Sequence, residues 1–264
     1  MTTTNAFPSE ITPKESGERI NIKTVIIVQA RMTSTRLPGK VMKEVMGKPL
    51  LEYQIERLRQ VRLADELVIA TTTNDTDQPI VELCERLGVA YYRGSEEDVL
   101  SRYYEAAIQF GADIVVRVTS DCPLIDPGVV DEVIGLYIYN RDKYGYVSNT
   151  LERTYPRGLD TEVFSMAALE KAHKGAREQS EREHVTLYIY RRPEQFRLAN
   201  SSSAVDYSQR RWTVDTSEDF ELIKLILQEL YPVNNRFTWL DVLNLLNEHP
   251  EWVEINAMVK QKEV

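Results

Sequence analysis

A chain of 264 residues, 42% of them hydrophobic, can bury a sizeable core and is not disordered throughout. A formal net charge of -9 excludes a broad basic face for polymeric nucleic acid, while leaving room for a local basic pocket. The two cysteines, Cys84 and Cys122, exclude a disulfide framework, and no apolar run approaches the roughly 20 residues that span a bilayer.

Met1 to Lys23 mixes Thr, Pro, Ser, Glu and Lys without an apolar secretory segment, so a flexible tail on a cytoplasmic protein is expected. The first predicted element is Thr24 to Ala30, TVIIVQA, a short continuous apolar run of the kind that forms a buried parallel strand. A polar loop, Arg31 to Lys40, follows it. Pro49 then opens a helical pattern in which Leu50, Leu51, Ile55, Leu58 and Val61 recur at helix spacing. Glu66 to Thr71 reads as a second buried strand, and Asp77 to Leu87 as an amphipathic helix that Gly88 ends. Val89 to Arg93 reads as a strand, Glu96 to Phe110 as a helix, and Asp113 to Thr119 as a fourth buried strand.

The rhythm changes after Asn149. Leu159 to Phe164 reads as a strand, and Met166 to Lys174 and Ser180 to Arg191 as helices. Phe196 to Ser201 and Trp212 to Asp215 are strand candidates, and Ser217 to Leu230 is a helix. Strands alternating with helices across short connections imply an α/β fold, a mostly parallel Rossmann-like sheet with helices on both faces. One domain over residues 24–264 is expected, with residues 148–203 inserted for acceptor binding and dimerisation. Such sheets bind ligands outside the carboxyl ends of their strands, which points to the loops after Ala30 and Thr119.

The loop after Ala30 concentrates chemistry. Arg31, Arg36 and Lys40 fall within ten residues, among the hydroxyls of Thr33, Ser34 and Thr35 and beside Gly39. Forked guanidinium groups, an ammonium and free backbone N–H groups are what a nucleoside triphosphate requires. The spacing is not that of a Walker A loop, and a solvated basic loop is the bland alternative. Gln29 and Ala30, where strand meets loop, join the candidate nucleotide contacts. Ser120-Asp121-Cys122-Pro123 follows the fourth strand. Asp121 there is either a turn residue or a carboxylate facing the same crevice.

Six strings, in order, carry a family resemblance. VQARMTSTRLPGKVMKEVMGKPLLEY (28–53), RGSEEDVLSRYYEAA (93–107) and VRVTSDCPLIDP (116–127) resemble the sugar-acid cytidylyltransferases that activate octulosonate and acylneuraminate. YPRGLDTEVFS (155–165), REHVTLYIY (182–190) and RWTVDTSEDFELI (211–223) extend the resemblance, and the spore-coat polysaccharide subfamily resembles this chain more closely still. The resemblance implies a nucleotide-diphospho-sugar transferase-like fold, CTP and a small sugar-type acceptor as substrates, and often a homodimer. It also implies Mg²⁺ on Asp121 and Asp215. Asp219, in contrast, suits the start of the following helix and is expected to be structural. Thr119-Ser120 stand where octulosonate-activating relatives have Gln-Gly.

Further contacts are expected around this centre. Thr71 and Thr72 end a strand and could touch base or ribose, and Arg93 and Ser95 occupy a loop that lies near the base in the family. Arg117 lies on the fourth strand and needs a partner once buried. Arg153, Arg157, Asp160 and Glu162 surround PRGLDTE, where alternation would put Asp160 and Glu162 on one strand face suited to sugar hydroxyls. His184 is a substrate candidate through the resemblance alone. Cys84 and Cys122 read as packing residues, as do Tyr103, Tyr104, Tyr137 and Tyr139.

The reaction these residues imply is in-line attack of an acceptor oxygen on the α-phosphorus of CTP, with pyrophosphate leaving. A glycosyltransferase using a nucleotide-sugar and a non-catalytic nucleotide-binding regulator are the rivals.

Overall fold

The computed structural model describes residues 22–261. Apart from Ile22 and Lys23, the expected tail lies outside the described residues. Lys23 is tied down, its backbone N–H donating to Asp113 at 2.8 Å and its ammonium pairing with Glu66.

The apolar runs form strands where periodicity puts them. β1 (Thr24–Gln29) is buried along nearly its whole length because a strand covered on both faces has no polar side. The short β2 (Glu44–Val45) and β3 (Lys48–Pro49) make a separate hairpin. β4 (Glu66–Thr72), β5 (Ala90–Gly94) and β6 (Ile114–Thr119) run parallel to β1. β7 (Tyr146–Ser148), β8 (Glu162–Ser165) and β9 (Leu198–Asn200) complete a mostly parallel, seven-stranded sheet ordered β5-β4-β1-β6-β8-β7-β9. Antiparallel pairing enters at β8, which joins β6 to β7. Residues 148–203 thus supply the interior strand β8 and the edge strand β9 of this same sheet.

Helices cover both faces. α1 (Leu50–Leu58), α2 (Gln78–Leu87) and α4 (Pro127–Asn140) pack against Ile26 and Val28 of β1. α3 (Val99–Gln109) and α5 (Met166–Gly175) pack against Val25 and Ile27 on the other side. Alternate residues of one strand therefore feed two cores. Gly88 caps α2 with φ 61°, as expected for a left-handed position that glycine tolerates. A third core unites α9 (Ser217–Leu230) and α10 (Trp239–Glu248) with the hairpin, Tyr53 and Trp212.

Several sequence expectations are corrected. The helix expected over Ser180 to Arg191 is two pieces, α6 (Gln179–Glu183) and α7 (Leu187–Tyr190). The chain leaves helical geometry at His184, and the Thr186 hydroxyl donates to buried Glu162 instead. The strand expected from Leu159 begins at Glu162, because the Asn149 side chain takes the Leu159 carbonyl and the Thr161 N–H. α8 (Pro193–Phe196) replaces the first part of the strand expected from Phe196. Trp212 to Asp215 is extended without joining a sheet. Its backbone bonds to the Arg157 and Asp121 carbonyls instead. Tyr139 is 89% exposed, so it is no packing residue, whereas Tyr103 and Tyr137 are buried. Cys84 and Cys122 are free and buried. α4, α10, the hairpin, β7 and α11 (Pro250–Val253) extend the organisation read from sequence.

Candidate active site

The loop after β1 folds back on itself. Gly39, at φ 66°, donates its N–H to the Met32 carbonyl, and a 3-10 turn from Lys40 to Met42 follows. A Cβ at Gly39 would be strained by that φ and would crowd the Met32 methyl at 3.3 Å. The turn directs Lys40 across the carboxyl end of the sheet. There the Thr119 hydroxyl donates to Asp121, and the Asp121 carbonyl accepts the Val214 N–H at 2.8 Å. That last bond brings Asp215 to Asp121.

Lys40 lies between the two carboxylates, 2.8 Å from Asp215 and 3.2 Å from Asp121. Arg36 and Arg211 pair with the second Asp215 oxygen at 2.9 and 2.8 Å. Three cations thus share two carboxylates in a partly buried cluster, where charge interactions are stronger than in water. Burial favours the neutral form of Asp121, but the Lys40 ammonium and the Thr119 hydroxyl outweigh it and hold the carboxyl at about 2. Burial likewise acts to lower Lys40, and the two carboxylates overcome it to raise its pKa. Both groups are therefore charged at neutral pH.

The sign of this shift gives a test. The contribution of Asp121 to stability is complete above its ordinary value of 3.8 and is lost as pH falls through about 2. The melting-temperature gap between wild type and Asp121→Asn is expected to be constant at neutral pH and to shrink below 3.8. A gap unchanged down to the lower value would remove the Lys40–Asp121 pair from the account.

A cavity of about 600 Å³ opens beside this cluster, lined by Gln29, Arg36, Asp121 and Asp215 on one side. Arg117, Arg153, Arg157, Asp160, Glu162 and His184 line the other side. The structure therefore brings most candidates from both ends of the chain to one space. Arg117 is bound by Glu162 and by the Gln29 side-chain carbonyl at 3.1 Å. Glu162 also accepts from Tyr146 and Thr186. Burial pushes Glu162 up, yet Arg117 and these hydroxyls lower its pKa on balance. Arg153 grips Asp160 with two bonds of 2.5 and 2.7 Å. Asp160 and Glu162 do share a cavity, but through the turn before β8 and not through strand alternation.

Other candidates are committed elsewhere. Thr71 and Thr72 have no exposure, and both hydroxyls donate to the Asp77 carboxylate, so they brace β4. The Arg93 guanidinium is held by the carbonyls of Thr72 and Asn74, tying β5 to β4. The Ser95 hydroxyl accepts the Asp98 N–H before α3. Ala30 is buried in the core. Arg31 and Ser34 stay on the rim of the loop, with Arg31 3.3 Å from Glu96. Asp219 is structural as expected, completing a capping box with Thr216 and accepting from Arg211.

Sequence reading passes over Glu96 and Arg211. Glu96 ties Arg31 and Thr33 of the loop after β1 to Asn74. Arg211 grips Asp215 and Asp219 together, and its four-residue spacing to Asp215 was the available signal.

A family profile described as cytidylyltransferase matches residues 25–237, across the sheet and this cavity. The chain belongs to the cytidylyltransferase family. Among relatives of this chain, the uncharacterized protein MJ1063 of Methanocaldococcus jannaschii is 38% identical over 91% of this chain and 97% of its own length. The spore coat polysaccharide biosynthesis protein SpsF of Bacillus subtilis is 33% identical over 86% of this chain and 95% of its own. A cytidylyltransferase structure from Leptospira borgpetersenii superposes with a TM-score of 0.85 at 32% identity, covering 92% of this chain and 100% of that one. No described helix is long and apolar enough to cross a membrane.

Proposed function

We propose that this protein transfers CMP from CTP to a hydroxyl of a sugar or sugar acid, releasing pyrophosphate, in the synthesis of a surface polysaccharide or related glycan. The observation that carries the reading is the convergence of Lys40, Arg36, Asp121 and Asp215 at the mouth of a cavity with a polar far wall. A triphosphate entering there exchanges with Asp215 for the cations of Arg36 and Lys40. Those cations then neutralise the pyrophosphate as it leaves. The relationship to SpsF supports a glycan product.

Mg²⁺ belongs to this reading, held by Asp121 and Asp215. What supports it is that both carboxylates already share one cation, the Lys40 ammonium, and Mg²⁺ is commonly bound by one or two carboxylates together with substrate phosphates. When bound, the ion supplies polarisation of the α-phosphate. On the acceptor side, Arg117 and Arg153 are occupied by Glu162 and Asp160. Arg157 lines the cavity and, among the described residues, has no carboxylate in ion-pair range, so it is the cation for an acceptor carboxylate.

A thermal-shift screen of ATP, GTP, CTP and UTP, each with and without Mg²⁺, tests the donor. Stabilisation by CTP that requires Mg²⁺ is expected, and Asp121→Asn is expected to lose that requirement. Preference for another triphosphate overturns the cytidylyl donor, and an unchanged Mg²⁺ dependence in Asp121→Asn removes that ligand. Pyrophosphate release with candidate sugar acids then identifies the acceptor. Response to nucleotide-sugars alone would favour a glycosyltransferase.

A further inference from the structure

A second cavity, of about 280 Å³, adjoins the first, with Arg157 and Gln261 lining both. Its other side is the C-terminal segment, including Val253, Asn256 and Val259, which lies beyond the stretch matched by the family profile. Three arginines, Arg157, Arg210 and Arg211, line this small space, and among the described residues no aspartate or glutamate does.

Their charges are unequally matched. Arg211 is neutralised by Asp215 and Asp219. Among the described residues, neither Arg157 nor Arg210 has a carboxylate in ion-pair range, and the Nε of Arg210 is buried without a hydrogen-bond partner. A buried N–H left unpaired is costly, and such groups in folded proteins generally have a partner. Two unmatched guanidinium groups beside a third also repel one another. Burial and the neighbouring cations Arg153 and Arg211 lower the Arg157 pKa, against the pull of Asp160. The mutual repulsion and the lowered Arg157 pKa are relieved by the same thing, a group of oxygens carrying negative charge.

We propose that this cavity is an anion site, in which Arg157 and Arg210 bind a phosphate or carboxylate group. At about 280 Å³ it falls just under the 300–1,000 Å³ typical of whole small-molecule pockets. It takes a charged group and a few carbons, not a nucleotide. The bound group is an anionic arm of the acceptor reaching past Arg157, or a separate small anion. Arg211 couples the site to the chemistry, since its guanidinium bonds the Gln261 side chain at 2.5 Å and Asp215 at 2.8 Å. The site does not depend on CTP being the donor.

Titration of the full chain with inorganic phosphate, followed by calorimetry, tests the proposal. Arg210→Gln is expected to bind phosphate at least about tenfold more weakly than wild type, and Arg210→Lys to recover part of the loss. The CTP thermal shift, measured in parallel, should survive in Arg210→Gln, which keeps failure here separate from failure of the donor assignment. If Arg210→Gln does not fold, the weakened binding of Arg210→Lys carries the test. No phosphate binding, or affinity in the Arg210 variants equal to wild type, overturns the site. In pyrophosphate-release assays, phosphate competing with the acceptor marks the acceptor's own arm. A change in turnover without competition marks a separate anion.

Discussion

Lys40→Ala is expected to lower turnover by about 10²–10³, the usual loss when a preorganised group that stabilises transition-state charge is removed. Lys40 is held in place before any substrate arrives, by Asp215 at 2.8 Å and Asp121 at 3.2 Å. Handed from the carboxylates to the triphosphate on binding, the ammonium is already in place as charge builds on the leaving pyrophosphate, which is why its loss should appear in kcat more than in KM. The sheet itself should remain folded, since Lys40 sits on a loop turn and touches the fold mainly through these pairs. Without the ammonium, Asp121 faces Asp215 unshielded, while Arg36 and Arg211 still neutralise the latter. The melting temperature of the ligand-free variant should therefore fall, and added Mg²⁺ should recover it. Steady-state pyrophosphate release checks the first effect and a thermal scan the second. Wild-type turnover in Lys40→Ala would remove the residue from the mechanism.

Glu162→Ala is expected to destabilise the protein by about 3–5 kcal/mol, because it leaves a buried arginine without its counter-charge. Glu162 is 7% exposed and accepts from Arg117, Tyr146 and Thr186, so one truncation strands three donors. It also releases Arg117 into the cavity beside Gln29, altering the cavity wall. Urea unfolding measures the loss. Replacing Arg117 and Glu162 together by methionine should cost far less, since removing a whole buried ion pair avoids an orphaned charge. A single variant within about 1 kcal/mol of wild type would mean that the pair is already solvated.

How much was legible follows from the range of the interactions. β1, β4 and β6 were readable because each carries a run of consecutive apolar residues, a property written locally in the chain. α9 was readable to its ends because Thr216 and Asp219 form a cap within one turn. The elements misjudged are those whose backbone is diverted by a distant side chain. Thr186 bonds Glu162 and breaks a helix, and Asn149 takes the Leu159 carbonyl and Thr161 N–H, delaying a strand.

The same distinction applies to the site. Arg36, Lys40, Asp121 and Asp215 were identifiable by residue type, position after a strand and family resemblance, and they do converge. Thr71, Thr72 and Arg93 looked equally available in sequence, yet Asp77 and backbone carbonyls consume their donors.

The amino-acid sequence by itself determined the alternating strands and helices, the family, and which charged residues end the strands, because these rest on local pattern and composition. Tertiary structure alone decided which of those charges are spent on one another. Arg153 and Arg117 meet Asp160 and Glu162, while Arg157 and Arg210 do not meet a carboxylate among the described residues. Ion pairing depends on a separation of a few ångströms and falls away with distance and solvent, and such separations between residues far apart in the chain exist only once the sheet and its C-terminal cover have assembled.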